Sequence, residues 1–444
     1  MLTTASPKQI ESNQLIKVFI LALAIALLSE WLGPLPIELG VGKVVLLPMI
    51  WALLIGLTLG IFNKRLPSLI RVDVKTQYLA AAILQPALFL FISKLGLLVG
   101  GSLPKLAEAG WGLALQEFGN LIGCILLGMP IALLLGIKRE AIGATFSIGR
   151  EPGLAIIGER FGMDSPEGRG VLAEYVTGTL VGAIFISLLA GFVTSLDIFH
   201  PLALAMGAGV GSGSMTAAAV GAIAAQHPPE MAQDIAAFAA ASNLIATTVG
   251  TYLTLFISLP LAVWAYKTFE PILGRGRSIG SQAASTTAQI DTEQQRIPAI
   301  HFGVRLLAWA VVGAMVLIGN RIGYGIPIIE ALPGVALIIV AVIIGDLVYH
   351  GTRRILPAVC WISLVAMAMT FPLFPFSAEI NALTSKVNFL AMITPMLTFA
   401  GLSLAKDIPV FRRLGWRIVV VSLLANAGVF LAAASIAQFF VHSI

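Results

Sequence analysis

The sequence predicts an all-α polytopic membrane protein with about 11 spanning helices plus one or two re-entrant hairpins. Three observations predict it. The 444 residues are 58% hydrophobic and only 11% charged, with mean hydropathy +0.95, whereas a soluble domain is about a quarter charged. Apolar runs of roughly 20 residues, the length that crosses a bilayer as a helix, recur along the chain. Basic residues collect in the short segments between those runs.

The first run, residues 15 to 32, follows a weakly basic segment, 1 to 14, and carries no small-residue cleavage pattern, so it reads as a retained span. Further spans fall at 44 to 62, 78 to 99, 113 to 137 and 170 to 197. After residues 201 to 226 come 236 to 264, 302 to 319, 331 to 349, 355 to 374, 385 to 404 and 417 to 441. The stretch GRGRSIGSQAASTTAQIDTEQQRIP, Gly274 to Pro298, is polar and rich in small residues, the composition of a flexible linker. It divides the chain into an N-terminal transmembrane half (15–269), a cytoplasmic linker (270–300) and a C-terminal transmembrane half (301–444).

The net charge of +5 sits in loops where membrane proteins place it, and so does not point to nucleic acid. Cys124 and Cys360 are isolated within spans and the five His are scattered, so no cofactor or catalytic metal is expected. The chain has no Walker run, no HExxH and no clustered Asp or His, which argues against an ATP-driven pump and against an enzyme.

The stretch GAGVGSGSMTAAAVG, 207 to 221, breaks the pattern. Four glycines between Gly207 and Gly213 each cost a helix roughly 1 kcal/mol relative to alanine. Orientation supplies a reason for them. The loops holding Lys64, Arg65, Arg71 and Lys75, then Lys138 and Arg139, the linker, Arg353 with Arg354, and Arg412 with Arg413 all fall on the cytoplasmic side only if residues 201 to 226 enter, break at 209 to 214 and return. The N-terminus is then cytoplasmic and the C-terminus outside. The competing reading makes the glycines GxxxG packing faces on an ordinary spanning helix.

A broken helix at membrane depth offers N–H groups to an anion and carbonyls to a cation. Gly211, Ser212, Gly213, Ser214 and Thr216 are therefore candidate substrate-binding residues. A second interrupted region, ATFSIGREPGLAIIGERFGMDSPEGRG (144 to 170), has Pro152 where a first helical turn accepts it, placing Arg150 and Glu151 at a half-helix entrance. Its alternative is a cytoplasmic loop with solvated charges. Polar residues at helical spacing inside spans complete the set: Asn243 with Thr247, one turn apart, and the carboxylates Glu117 and Glu174 are candidate residues for a coupling ion, Na⁺ through oxygen ligands or H⁺ through a carboxyl. An unbroken span is the first expectation for 385 to 404; in the alternative, Asn388, Thr394 and Pro395 break it and supply the second half of a symmetric site. Asp346 is expected to pair with Arg353 and Arg354.

The runs GIKREAIGATFSIGREPGLAIIGERFGMDSPEGRG, GVGSGSMTAAA and TFAGLSLAKDIPVFRRLGWRIVVV resemble a bacterial membrane family catalogued as a domain of unknown function. That family in turn resembles the cation:proton antiporter/anion transporter superfamily, with its 2-hydroxycarboxylate transporters and glutamate:sodium symporters. The resemblance implies an inverted-repeat fold with scaffold and transport domains, elevator-type movement, a homodimer and a place in the bacterial inner membrane. One departure stands out: both Gly-rich elements precede the linker, whereas 2-hydroxycarboxylate transporters carry one in each half. The expectation is a secondary transporter of a small organic anion; a channel or receptor with a Gly-rich re-entrant site is the alternative.

Overall fold

Proline and short polar side chains decide where the helices begin. Pro48, Pro166, Pro201 and Pro229 each occupy a first-turn position, where a missing N–H costs nothing. Asp73 accepts from the Thr76 N–H at 2.8 Å and Ser165 from the Gly168 N–H at 2.9 Å, capping two more. The computed structural model of the protein describes residues 12–39, 42–67, 70–102, 110–162, 165–274, 298, 300–352, 357–409 and 415–441.

In chain order the elements are α1 (Ser12–Leu32), a hairpin of β1 (Leu35–Leu39) and β2 (Gly42–Leu46), α2 (Pro48–Ile61), α3 (Val74–Gly101), α4 (Gly110–Leu134), α5 (Glu140–Thr145) and α6 (Arg150–Arg160). Next are α7 (Pro166–Ser195), α8 (Pro201–Gly209), α9 (Gly213–Ala224), α10 (Pro229–Thr248) and α11, which joins Gly250–Leu253, Thr254–Ser258 and Leu259–Leu273. The last are α12 (Phe302–Tyr324), α13 (Ile328–Gly351), α14 (Ala358–Thr370), α15 (Ser377–Ser385), α16 (Phe389–Leu404) and α17 (Trp416–Val441). Among the described residues, eight helices are long and apolar enough to cross a membrane, and Pro48–Ile61, Gly213–Ala224 and Ala358–Thr370 are shorter apolar helices.

Several expectations need correction. The architecture is helical but not all-α: β1 and β2 pair antiparallel, Pro36 opposite Val45. The span expected from residue 44 starts at Pro48 because a residue before proline is pushed out of the α region, and Leu47 is extended at ψ 160°. The span 236 to 264 is two helices parted at Val249, where Thr247, Thr248, Val249, Gly250 and Thr251 string weak helix formers together. Residues 385 to 404 are interrupted at 386–388, between α15 and α16, and not at Thr394 or Pro395. Asn388 caps α16 through the Leu390 N–H at 3.0 Å, and the helix runs on through Pro395. Asp346 pairs with Arg305 at 2.6 Å, from the neighbouring helix α12, while residues 353–356 lie outside the described residues.

Packing sorts the helices into two groups, and the linker does not divide them. In one, α1, α2, α3 and α12 to α16 pack together through small residues: Gly56 meets the backbone of Gly401 and Leu402, Gly96 meets Ser363, and Gly345 meets Ile362. In the other, α17 runs antiparallel to α4, with Gly119 against Ala433 and Gly123 against Gly428, and α5 to α11 gather around that pair. So α17, from beyond the linker, packs among helices that precede it.

Helix α7, 30 residues or about 45 Å long, is the ruler against which the broken segments are measured. Asp197, at φ 53°, turns the chain after α7 into α8. Helix α9 then runs parallel to α7, since Gly182 faces Met215 and Gly191 faces Ala222 and Gln226. Gln226 Nε2 donates to Gly191 O at 2.9 Å, near the end where α8 began. Helices α8 and α9 thus form a hairpin that enters and leaves at the C-terminal end of α7. The α5–α6 segment does the same from the other end. Arg139 pairs with Glu167 at 2.5 Å and Glu140 with Arg169 at 2.8 Å, fixing its entry beside the start of α7, and Gly162 returns it to the Ser165 cap. The two tips meet: Ile148 and Val210 share one apolar cluster with Cys124, Ala425, Val429 and Ala433.

Candidate functional site

The α8–α9 tip is built from Val210, Gly211 and Ser212 between the two short helices. None of the glycines in or beside it has positive φ, so conformational freedom does not explain them; close approach explains Gly207, Gly209 and Gly213, though not Gly211. A Cβ on Gly213 would lie 2.7 Å from Leu88 Cδ1 of α3, and one on Gly209 would lie 2.5 Å from Ser242 Cβ of α10. Gly207 presses on Phe430 O of α17, so the packing explanation holds for the two glycines on α8 itself.

A helix end buried in protein needs partners for its carbonyls. Here α10 supplies them. Asn243 Nδ2 donates to Gly209 O at 2.8 Å and Gly211 O at 2.9 Å, and lies 3.3 Å from Thr216 Oγ1. Ser242 Oγ donates to Met206 O at 2.7 Å, and Thr216 Oγ1 to Gly211 O at 3.3 Å. The other half of the break differs. Ser212 does not cap α9 with its side chain, and Ser212 Oγ sits 3.5 Å from Ser214 Oγ, both half-buried.

Beside the tip, Asn243 and Thr247 line a cleft between α10, α3 and α14, with Ile92, Leu95, Val359 and Ser363 as its other walls. The structure therefore brings Gly211, Ser212, Gly213, Ser214, Thr216, Asn243 and Thr247 to one place where the two helix groups meet. Thr247 Oγ1 is turned to its own helix, donating to Asn243 O at 2.8 Å.

The carboxylates stand near by. Glu117 is 1% exposed, so it does not snorkel to the surface; Gln116 Nε2 and Asn120 Nδ2 donate to it at 3.2 and 3.1 Å, and its Oε2 would lie 3.2 Å from a Cβ on Gly250, beside the α10–α11 break. Glu174, also buried, is well inside α7 rather than capping it. Arg150 and Glu151 begin α6, directly after the Ile148 tip, which agrees with a half-helix entrance; their side chains lie outside the described residues.

Three residues escaped the sequence reading. Ser258 Oγ donates to Phe146 O, beside the α5–α6 tip, as Asn243 does to the α8–α9 tip. Asn426 and Ser422 are buried on α17 next to the same cluster, with Asn426 Nδ2 on Ser422 O at 2.7 Å. A lone asparagine in the apolar run 417 to 441 was the available signal. Local π-helical turns at Cys124–Gly128, Gly178–Gly182 and Thr254–Ser258 each touch a tip or its first turn, through Cys124, Met215 and Ser258 respectively.

Fold and site together define a helical membrane protein with two oppositely entering hairpins whose tips meet among buried polar groups. The chain belongs to the family described as protein of unknown function DUF3100, whose profile matches residues 27–268 and so takes in both hairpins. No curated protein and no solved structure matches it.

Proposed function

We propose that this protein is a secondary active transporter of a small organic anion of the carboxylate or amino-acid class, coupled to a cation and working by elevator-type alternating access. One observation carries the reading: at the α8–α9 break the carbonyl end is occupied by Asn243, Ser242 and Thr216, while the start of α9 keeps no side-chain cap. The positive end of the α9 dipole is thereby left without a side-chain acceptor from Ser212, beside the half-buried hydroxyls of Ser212 and Ser214. The start of α6, with Arg150, approaches from the opposite side. Two helix groups with the cleft between them suit an elevator, α4 to α11 and α17 moving against α1 to α3 and α12 to α16.

In this reading the chain crosses the bacterial inner membrane about eleven times, with α10 and α11 counted as one kinked crossing. Asn63–Arg65, Lys138, Arg139 and Arg305 then share the cytoplasmic side, the N-terminus is inside, the C-terminus outside, and two copies form the working unit. Glu117 carries the coupling proton.

The test is uptake into sealed proteoliposomes across a panel of carboxylates and amino acids, with imposed Na⁺ or proton gradients. Gradient-driven accumulation of at least one anion, abolished by Gly211→Val in monodisperse protein, is the expected result. Accumulation of no member of the panel, or uptake indifferent to Gly211→Val, overturns the reading.

A further inference from the structure

The carbonyl end of a broken membrane helix is where a transporter ordinarily seats Na⁺. In this chain the corresponding oxygens are Gly209 O, Gly211 O and Thr216 Oγ1, and all three converge on Asn243 Nδ2, at 2.8, 2.9 and 3.3 Å. The direction of that amide follows from chemistry. Turned the other way, Asn243 Oδ1 would face two carbonyl oxygens with no proton between them. The NH₂ end therefore points into the cluster, and its two N–H bonds match the two carbonyls. Ser242 Oγ takes Met206 O at 2.7 Å, so a further acceptor at the end of α8 also has its donor.

We infer that the Asn243 amide takes the place of a monovalent cation at this break, so that the α8–α9 hairpin closes without Na⁺, and that residue 243 sets the ion requirement of the hairpin. A neutral donor fixed to α10 does what a bound ion would do: it satisfies two carbonyls at membrane depth and ties the tip to the neighbouring helix. The inference deepens the proposed function by excluding Na⁺ from this site. It rests on hairpin geometry, and its test reads the ion and not the solute, so it can fail while anion transport stands, and the reverse.

The decisive change is Asn243→Asp. At pH 8 its carboxylate would join two carbonyl oxygens and the Thr216 hydroxyl oxygen, an oxygen set suited to a hard cation. Thermal unfolding of purified protein is measured in NaCl and in choline chloride at equal ionic strength. Wild type is expected to have the same midpoint in both salts. Asn243→Asp is expected to be less stable in choline and to recover by several degrees in NaCl, as for any ligand that binds only the folded state. Should that variant not be obtained as monodisperse protein, Asn243→Ser, which puts a hydroxyl beside the same oxygens, carries the same expectation. A Na⁺-specific rise in the wild-type midpoint that Asn243→Ala abolishes overturns the inference. So does a folded Asn243→Asp protein, or Asn243→Ser in its place, with equal midpoints in the two salts.

Discussion

Gly207→Ala and Gly211→Ala, four residues apart in one glycine-rich stretch, are expected to have unequal consequences. A Cβ on Gly207 would lie 2.6 Å from Phe430 O and 3.1 Å from Ala434 Cβ. Against an ordinary C–H···O separation of about 3.3 Å the shortfall is roughly 0.7 Å, and the obstacle is α17 backbone, which has no rotamer to yield. Helix α8 must shift, at the usual overpacking cost of about 1–3 kcal/mol. On a scale of about 2–4 °C per kcal/mol for large domains, the thermal midpoint falls by roughly 2–12 °C. A Cβ on Gly211 would meet Met215 Cβ at 3.2 Å and nothing else closer than 3.9 Å, so a few tenths of an ångström of adjustment within the tip accommodates it. Size-exclusion profiles and thermal midpoints in detergent read the difference. Equal destabilisation by both changes, or an unchanged midpoint in Gly207→Ala, would refute the packing argument and with it the placement of α8 against α17.

Other expectations follow from single contacts. Arg169→Met leaves Glu140, which is 4% exposed, without its ion pair; unpairing a buried charge costs about 3–5 kcal/mol, so a marked loss of expression or midpoint is expected, and Glu140→Gln in the same chain restores part of it. Asp73→Ala removes the cap of α3 and costs about 1 kcal/mol at neutral pH. Partial burial pushes the Asp73 carboxyl up, but the Thr76 hydroxyl and N–H, with Lys17 and Lys75, outweigh it and hold the group below its ordinary value. That contribution is present above the unfolded value of about 3.9 and is lost as pH falls through the lower folded value. The midpoint gap between wild type and Asp73→Ala should therefore narrow in acid. Glu117→Gln keeps the hydrogen-bonding shape of the side chain beside Asn120, and is expected to leave the midpoint within a few degrees while uptake loses its dependence on a proton gradient.

Much of the membrane fold is legible in the sequence because one physical rule dominates: backbone polar groups in lipid must pair within their own segment, so apolar length reports helices directly. The break at Val210–Ser212 was legible for a related reason, since glycine and serine crowd where the helix stops and the basic loops constrain the parity. What was illegible depends on distance in space. The α5–α6 hairpin shows as charge around an apolar centre, which suits a solvated loop equally well; only the Arg139–Glu167 and Glu140–Arg169 pairs reveal that its base is pinned to the start of α7. Asn243 could be placed one turn from Thr247, but the direction of its amide depends on carbonyls 32 and 34 residues away. Pro395 did not mark a break because proline removes one backbone hydrogen bond without obliging a helix to end, and α16 continues through it with nearly every residue buried. The grouping of α17 with α4 leaves no trace in composition, because both are apolar runs with small residues on one face.

The central claim is that two hairpins enter from opposite faces and meet at mid-depth, and accessibility of single cysteines tests it most directly. In a background with Cys124 and Cys360 replaced, His200→Cys and His227→Cys mark the two ends of the α8–α9 hairpin, and Arg160→Cys marks the exit of α5–α6. An impermeant thiol reagent added to intact cells should label positions 200 and 227 alike and leave 160 unlabelled until the membrane is opened. Labelling of position 200 but not 227 from outside would mean that residues 201 to 226 cross the membrane, and would contradict the account.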